Sequence, residues 1–227
     1  MQEVNKQPLL PVIKNIVFDF GGVILNIDHY RVEQAFKRLG ISQFDHLFNQ
    51  ASQSELFRAF EKGETTPARF RDEIRNLIKL NLSDATIDQT WNEIIDDYPP
   101  KRIELLKELR TRYKLYLLSN TNIIHYNYYI PEFRHLFGLD FELLFHKVYW
   151  SFKIGMRKPD PDPFLLLIKN EIIRPEETLF IDDTIQNIRT AKSIGFHAVH
   201  LQKGLEITDL FRDAAFIAAE KLFECNK

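Results

Sequence analysis

The chain has 227 residues, room for one domain or for a core domain with an insertion, and its 44% hydrophobic content is enough for a sizeable core, which excludes global disorder. Thirty basic residues against 32 acidic ones leave a net charge of −2 with no basic block, so no nucleic-acid partner is expected. A single cysteine, Cys225, excludes a disulfide within the chain; with a polar start and no long apolar run, no signal peptide or membrane span is expected, and a cytoplasmic protein with no membrane partner is the expectation.

Five short apolar runs read as buried strands: Ile13–Phe18, Lys114–Leu118, Lys147–Trp150, Thr178–Ile181 and His197–Leu201. Most are followed by a helical pattern, so the fold class is α/β, a doubly wound parallel sheet. Right-handed crossovers bring the carboxyl ends of its strands to one edge. Between the first two strands lies too much chain for one crossover. There Val32, Ala35, Phe36 and Leu39 share a helix face. Phe70, Ile74, Leu77 and Ile78 share another behind Thr66-Pro67, and Ile87, Trp91, Ile94 and Ile95 a third behind Ser83. This predicts an all-helical cap over residues 28–99, with the core formed by 12–27 and 100–227. Pro99-Pro100 closes the cap and a helix over 101–111 returns to the core. Asp160-Pro161 is expected to start a helix, another is expected over 185–194, and a last one over 205–223 with Leu210, Phe211, Ala214, Ile217 and Ala218 on one side.

Four islands at or after predicted strand ends carry residues with chemistry. Asp19 follows Ile16-Val17-Phe18 and precedes Gly21-Gly22, where open α/β sheets place their reactive groups. A carboxylate can attack phosphorus and split one hard displacement into two easier ones, but it needs a cation to approach an anionic phosphate. Asp182-Asp183 ends the strand Thr178–Ile181. Adjacent carboxylates repel unless a cation sits between them and other ligands, so Asp183, Asp19 and the Gly21 backbone carbonyl are the expected Mg²⁺ ligands, with Asp182 as a supporting partner. Ser119 and Asn120 can hold phosphate oxygens at a helix N-terminus. Lys158, in Gly155-Met156-Arg157-Lys158-Pro159, can neutralise nucleophile and phosphate together. An Asp, a Ser, a Lys and an acidic pair in that order fit a phosphatase working through a phosphoaspartyl intermediate, with Asp19 and Lys158 catalytic. The seven histidines show no zinc spacing and receive no metal role.

Together these residues resemble the haloacid dehalogenase superfamily of phosphatases, with a helical cap inserted after the first strand. The resemblance runs from Val12 to about Leu201. The first motif of the family usually reads Asp-x-Asp-Gly; here it reads Asp19-Phe20-Gly21-Gly22. The second motif matches at Ser119, the third at Lys158, and the fourth at Asp182-Asp183, followed by Asn187 as a further supporting residue. The phrases Leu118-Ser119-Asn120-Thr121-Asn122, Gly155–Pro159 and Glu61-Lys62-Gly63-Glu64 are similar to a subgroup that includes bacterial α-D-glucose-1-phosphatases and the phosphatase domain of soluble epoxide hydrolase. The resemblance implies a Mg²⁺ cofactor, a small phosphorylated metabolite such as a sugar phosphate as partner, and a monomer or weak homodimer.

Gly21 stands where most relatives carry the Asp that protonates the leaving group and then activates water. Asp28 and His29 are candidate substitutes. A phosphomutase is disfavoured because Gly21 cannot shuttle protons between two sugar hydroxyls, and a dehalogenase because a neutral substrate leaves Asp182-Asp183 unexplained. The alternative from another class is a catalytically weak binding or regulatory protein on the same fold, favoured by Gly21 and opposed by intact Asp19, Ser119, Lys158 and Asp183.

Overall fold

A computed structural model describes residues 12–41 and 55–212 and the backbone of 215 and 216. Five parallel strands form one sheet in the order β3-β2-β1-β4-β5: β1 Asn15–Phe18, β2 Lys114–Ser119, β3 Lys147–Trp150, β4 Thr178–Asp182 and β5 His197–His200. The order places β1 at the centre. Alternate residues of each strand point to opposite faces, and both faces are covered. Ile16 and Phe18 pack with Leu106, Leu109 and Phe133, from helices α5 (Pro100–Leu109) and α6 (Ile123–Phe137). Val17 and Phe180 pack on the other side with Phe164, Leu167 and Ile188, from α8 (Asp162–Glu171) and α9 (Ile185–Ile194). A strand buried on both faces reads as an unbroken apolar run, which is why these strands were visible in sequence.

Helices α1 (His29–Arg38), α2 (Glu55–Glu61), α3 (Pro67–Ile78) and α4 (Asp84–Asn92) lie between β1 and β2 and bury a separate cluster, Val32, Phe36, Phe60, Phe70, Ile74, Ile87 and Trp91, which Ile124 of α6 joins. The caps expected at Thr66 and Ser83 are in place, their side chains accepting from the Arg69 and Thr86 amides, and Asp28 also caps α1 by accepting from the Tyr30 amide. The two connections to the sheet run side by side. The Asn26 amide donates to Asp97, Asp96 to Asn26 and Asp28 to Ile94, and Ile27 pairs with Ile95. Ile94 and Ile95 therefore belong to this paired connection and not to α4. The remaining short helix, α7, is Ser151–Ile154.

Two expectations about helices fail. No helix begins at Asp160-Pro161; the Asp160 amide turns back to the Arg157 carbonyl, and α8 starts at Asp162 with Pro163 in its first turn. The predicted helix over 205–223 is absent from the described part of that span. Ile207–Leu210 is a single 3₁₀ turn, closed by reciprocal bonds between Glu206 and Asp209, and Phe211–Arg212 then pairs antiparallel with Ala215–Phe216. Ile207, Leu210 and Phe211 are buried against the β-sheet core. Their spacing suits a helix face, but one tight turn and an extended residue bury the same three side chains. Ala214, Ile217 and Ala218 lie outside the described residues.

Candidate active site

The strand register sets the first pair of acidic groups. Phe18 is level with Ile181, so the next step along both central strands brings Asp19 beside Asp182, and the Asp19 amide donates to the Ile181 carbonyl at 2.9 Å. Asp183 follows at once. One carboxylate oxygen from each of Asp19, Asp182 and Asp183 lies within 4.8 Å of the others. The Lys158 ammonium reaches into this group, 2.9 Å from Asp19 Oδ1 and 2.6 Å from Asp182 Oδ2. Burial is severe: Lys158 is 1% exposed, Asp182 0% and Asp19 9%.

Three carboxylates against one ammonium leave two negative charges without a partner in a low-dielectric site. Burial, and then Asp182, push the Asp19 carboxyl up to about 8 against the pull of Lys158. Burial and Asp182 also raise Asp183. For Lys158, burial works to lower the pKa, but Asp182 and Asp19 outweigh it and the net shift is upward, so the ammonium stays charged. The Asp19 and Asp183 carboxylates supply hard oxygens, and the Gly21 carbonyl, the further ligand expected from the sequence, accepts no hydrogen bond among the described residues. Such a set fits a small divalent cation that keeps several of its own waters.

Asp182 is fully engaged by protein donors. Its Oδ1 accepts from the Thr184 amide at 2.7 Å and from Asn187 Nδ2 at 3.0 Å, and its Oδ2 accepts from Lys158 and from Asn187 Nδ2 at 2.9 Å. It orients Lys158, and Asn187 orients it. On Asp19, Oδ1 accepts from the Phe20 amide at 2.7 Å and from Lys158.

The second island divides its work. Among the described residues Ser119, buried at the end of β2, makes only a long 3.5 Å contact with the Asn120 carbonyl, which leaves its hydroxyl available. Asn120 does something the sequence did not announce. Its Nδ2 donates to the Lys158 carbonyl at 2.7 Å and its Oδ1 accepts from the Lys158 amide at 2.9 Å, so its side chain clamps the lysine backbone. Thr121 is held by Ser151 through two 2.9 Å bonds, and Asn122 Oδ1 caps α6 by accepting from the Ile124 and His125 amides.

Above these groups a cavity of about 310 Å³ is lined by Gly21, Ser119 and Asn120 on one side and by Phe57, Glu61 and Trp91 from the helical segment on the other. His125 and Arg157 also line it. Arg157 Nε donates to Glu61 Oε2 at 2.7 Å, tying α2 to the loop that carries Lys158. Burial raises the Glu61 carboxyl, with Arg157 opposing. Both residues stood inside phrases noted in the sequence, but their pairing across the cavity was not visible there. Of the candidate substitutes for a second acid, Asp28 is committed to capping α1, whereas His29 lines the cavity.

A parallel five-stranded sheet with this cluster at its carboxyl edge defines a hydrolase of the haloacid dehalogenase type. The family model for haloacid dehalogenase-like hydrolases matches residues 13–195, and the chain belongs to that family. The chain is 34% identical over 196 residues, 86% of its length and 95% of the relative's, to a D-ribitol-5-phosphate phosphatase of Bacteroides thetaiotaomicron. Its fold matches a HAD family enzyme from the same organism, solved with magnesium and inorganic phosphate, at a TM-score of 0.81 and 37% identity, covering 88% of this chain and all of that one. A predicted HAD-like hydrolase of Porphyromonas gingivalis matches at a TM-score of 0.79 and 31% identity, covering 87% of this chain and 95% of that one.

Proposed function

We propose that this protein is a Mg²⁺-dependent phosphatase that hydrolyses a small sugar or sugar-alcohol phosphate through a phosphoaspartyl intermediate on Asp19. The observation that carries the reading is the placement of the Lys158 ammonium 2.9 Å from Asp19 and 2.6 Å from Asp182, with Asp183 close enough to share one cation. Asp19, Asp183 and the Gly21 carbonyl hold the cation, which when bound offsets the negative charge shared by nucleophile and phosphate.

Asp19 attacks phosphorus and the ester oxygen departs; water then attacks the phosphorus of the aspartyl phosphate and inorganic phosphate leaves. Ser119, Lys158 and the backbone amide of Asn120 hold the phosphoryl oxygens. The Asn120 side chain keeps Lys158 in place, and Asp182 with Asn187 aims its ammonium. Both the small cavity and the D-ribitol-5-phosphate phosphatase relative support a compact, hydroxylated leaving group. Residues 28–99 act as a cap that excludes water and reads that group, while 12–27 and 100–227 carry the chemistry. The protein works in the cytoplasm on a free metabolite, as a monomer or weak homodimer. No helix among the described residues is long and apolar enough to cross a membrane.

The test is a screen of phosphorylated metabolites with Mg²⁺, reading phosphate release for the wild type and Asp19→Asn. Release by the wild type alone supports the reading. If no ester is hydrolysed although Mg²⁺ and phosphate bind, the binding or regulatory alternative that Gly21 favours takes its place.

A further inference from the structure

His125 is a polar side chain of the cavity wall that neither the metal cluster nor the phosphate site uses. His125 lies on α6, three residues beyond the cap residue Asn122, and its ring stacks on Trp91 with centroids 5.4 Å apart and planes 8° from parallel. Its Nδ1 is 2.8 Å from Asn92 Oδ1. A carbonyl oxygen only accepts, so Nδ1 carries the proton and Nε2 presents a lone pair. Among the described residues Nε2 has no partner. With Nδ1 bonded and one ring face against Trp91, Nε2 is the remaining polar atom of a ring that lines the cavity.

From this geometry we propose that His125 is a specificity-determining residue, whose Nε2 accepts a hydrogen bond from a hydroxyl of the leaving alcohol. The inference rests on the phosphatase reading above and deepens it, by assigning recognition of a hydroxylated leaving group to one atom. Most of the neighbouring wall is apolar, with Phe57, Trp91, Ile94 and Ile95 from the helical segment and Leu25 and Ile27 from the stretch after β1. Those apolar side chains hold the carbon chain of an alcohol but cannot tell a polyol from an alkane. A fixed acceptor can, because a substrate lacking the hydroxyl leaves that acceptor desolvated and unpaired.

Two features make the ring a ruler for position and not a source of protons. The stack and the Asn92 bond fix its orientation, and burial pushes its pKa down to about 3, so it remains neutral at physiological pH. It therefore does not replace the carboxylate missing at position 21. Helix α4 meets the helix carrying His125 through Trp91 and Asn92, so the acceptor sits on the sheet side while its support comes from the helical segment.

The experiment compares a pentitol 5-phosphate with n-pentyl phosphate, which has the same chain length and no free hydroxyls. Wild type is expected to prefer the pentitol ester in kcat/KM. In His125→Phe the ring and its stack remain but both nitrogens go, and that preference should fall about tenfold, the worth of one hydrogen bond, through KM. His125→Gln, which restores an acceptor, should recover part of it. Asn92→Ala, which frees the ring, should lose part of it. Because His125→Phe strands Asn92 and can lower stability, the ratio of the two substrates is read and not the absolute rate, with thermal denaturation confirming a folded variant. If the ratio is unchanged in folded His125→Phe, or if wild type shows no preference while hydrolysing both esters, His125 does not read a hydroxyl. If wild type hydrolyses no phosphate ester of any kind, the phosphatase reading itself is at fault.

Discussion

Gly22 and Asp183 are in such close approach that a Cβ at position 22 would stand 2.3 Å from Asp183 Oδ2. Gly22 also has φ +74, a conformation that costs an L-residue about 1–2 kcal/mol. The turn after β1 thus leaves room for the carboxylate that follows β4. Gly22→Ala is expected to lower stability by about that amount and to push Asp183 from its place, weakening Mg²⁺ binding. Thermal denaturation and calorimetric Mg²⁺ titration check the two effects separately. An unchanged Mg²⁺ affinity would show that Asp183 does not need this approach.

Asp19→Asn keeps the shape of the nucleophile and removes its charge. Turnover should fall by about 10³-fold or more, because an amide cannot form the acyl phosphate. The fold should survive, since the substitution removes one of three crowded carboxylates. A phosphate-release assay beside a melting curve decides; appreciable turnover in a folded variant removes Asp19 from its assigned role.

The acidic cluster makes metal-free stability depend on pH with a definite sign. A folded-state pKa for Asp19 of about 8, above the ordinary carboxylate value, means that the folded protein holds a proton that the unfolded chain releases. That contribution is present at low pH and is lost as pH rises from about 4 to about 8. The chelated protein should therefore lose stability across this window, and the gain in Tm on adding Mg²⁺ should be larger at pH 8.5 than at pH 5.5. Asp183→Ala should reduce that gain and weaken Mg²⁺ binding about 10- to 100-fold or more. Equal Mg²⁺ shifts at both pH values would contradict the coupling.

Asn120→Ala tests the clamp on Lys158. It leaves the Lys158 amide without its acceptor, which costs about 1–3 kcal/mol when the group is buried. It also loosens the residue that carries the ammonium. The expected outcome is a fall in kcat of about 10- to 100-fold with a smaller change in KM. Stopped-flow or steady-state kinetics would count against the clamp if KM alone moved.

Position 21 can be refilled. A Cβ on Gly21 would meet Ile27 Cγ2 at 3.5 Å and Cδ1 at 3.6 Å, ordinary contacts, so the backbone there tolerates a side-chain carbon and Gly21→Asp is the substitution to make. With no carboxylate there, the natural enzyme should favour esters with good leaving groups, such as p-nitrophenyl phosphate or sugar 1-phosphates, over simple alkyl phosphates. The substitution should help poor leaving groups most, by up to about 10²–10⁴-fold. A series of monoesters of graded leaving-group pKa, run for both forms, gives the slopes. A flat profile for the natural enzyme would assign the proton to another group, and His29 in the cavity wall would be examined first.

The sequence by itself determined the sheet and the order of reactive islands. The central strands were legible because a parallel sheet covered on both faces buries them along most of their length, so they read as apolar runs; the edge strands β3 and β5 are only partly buried, and their short apolar stretches sufficed. Asp19, Ser119 and Asp182-Asp183 were legible for a related reason: a polar residue that interrupts such a run marks where the strand leaves the core. Three of the described helices of 28–99 announced themselves through periodicity, two of them also through Thr66 and Ser83 at their starts, whereas α2 carried no such signal. What only the tertiary structure decided were contacts between side chains far apart in the chain. Asn120 holds the backbone of Lys158, Arg157 bonds to Glu61, and His125 is oriented by Trp91 and Asn92. No periodicity encodes these pairs, because each depends on how separate elements pack. The end of the chain shows the converse limit. Ile207, Leu210 and Phe211 have the spacing of a helix face, yet a 3₁₀ turn and a short strand pair bury them as well. Burial fixed which residues go inward, and the space left beside the sheet fixed the backbone that carries them there.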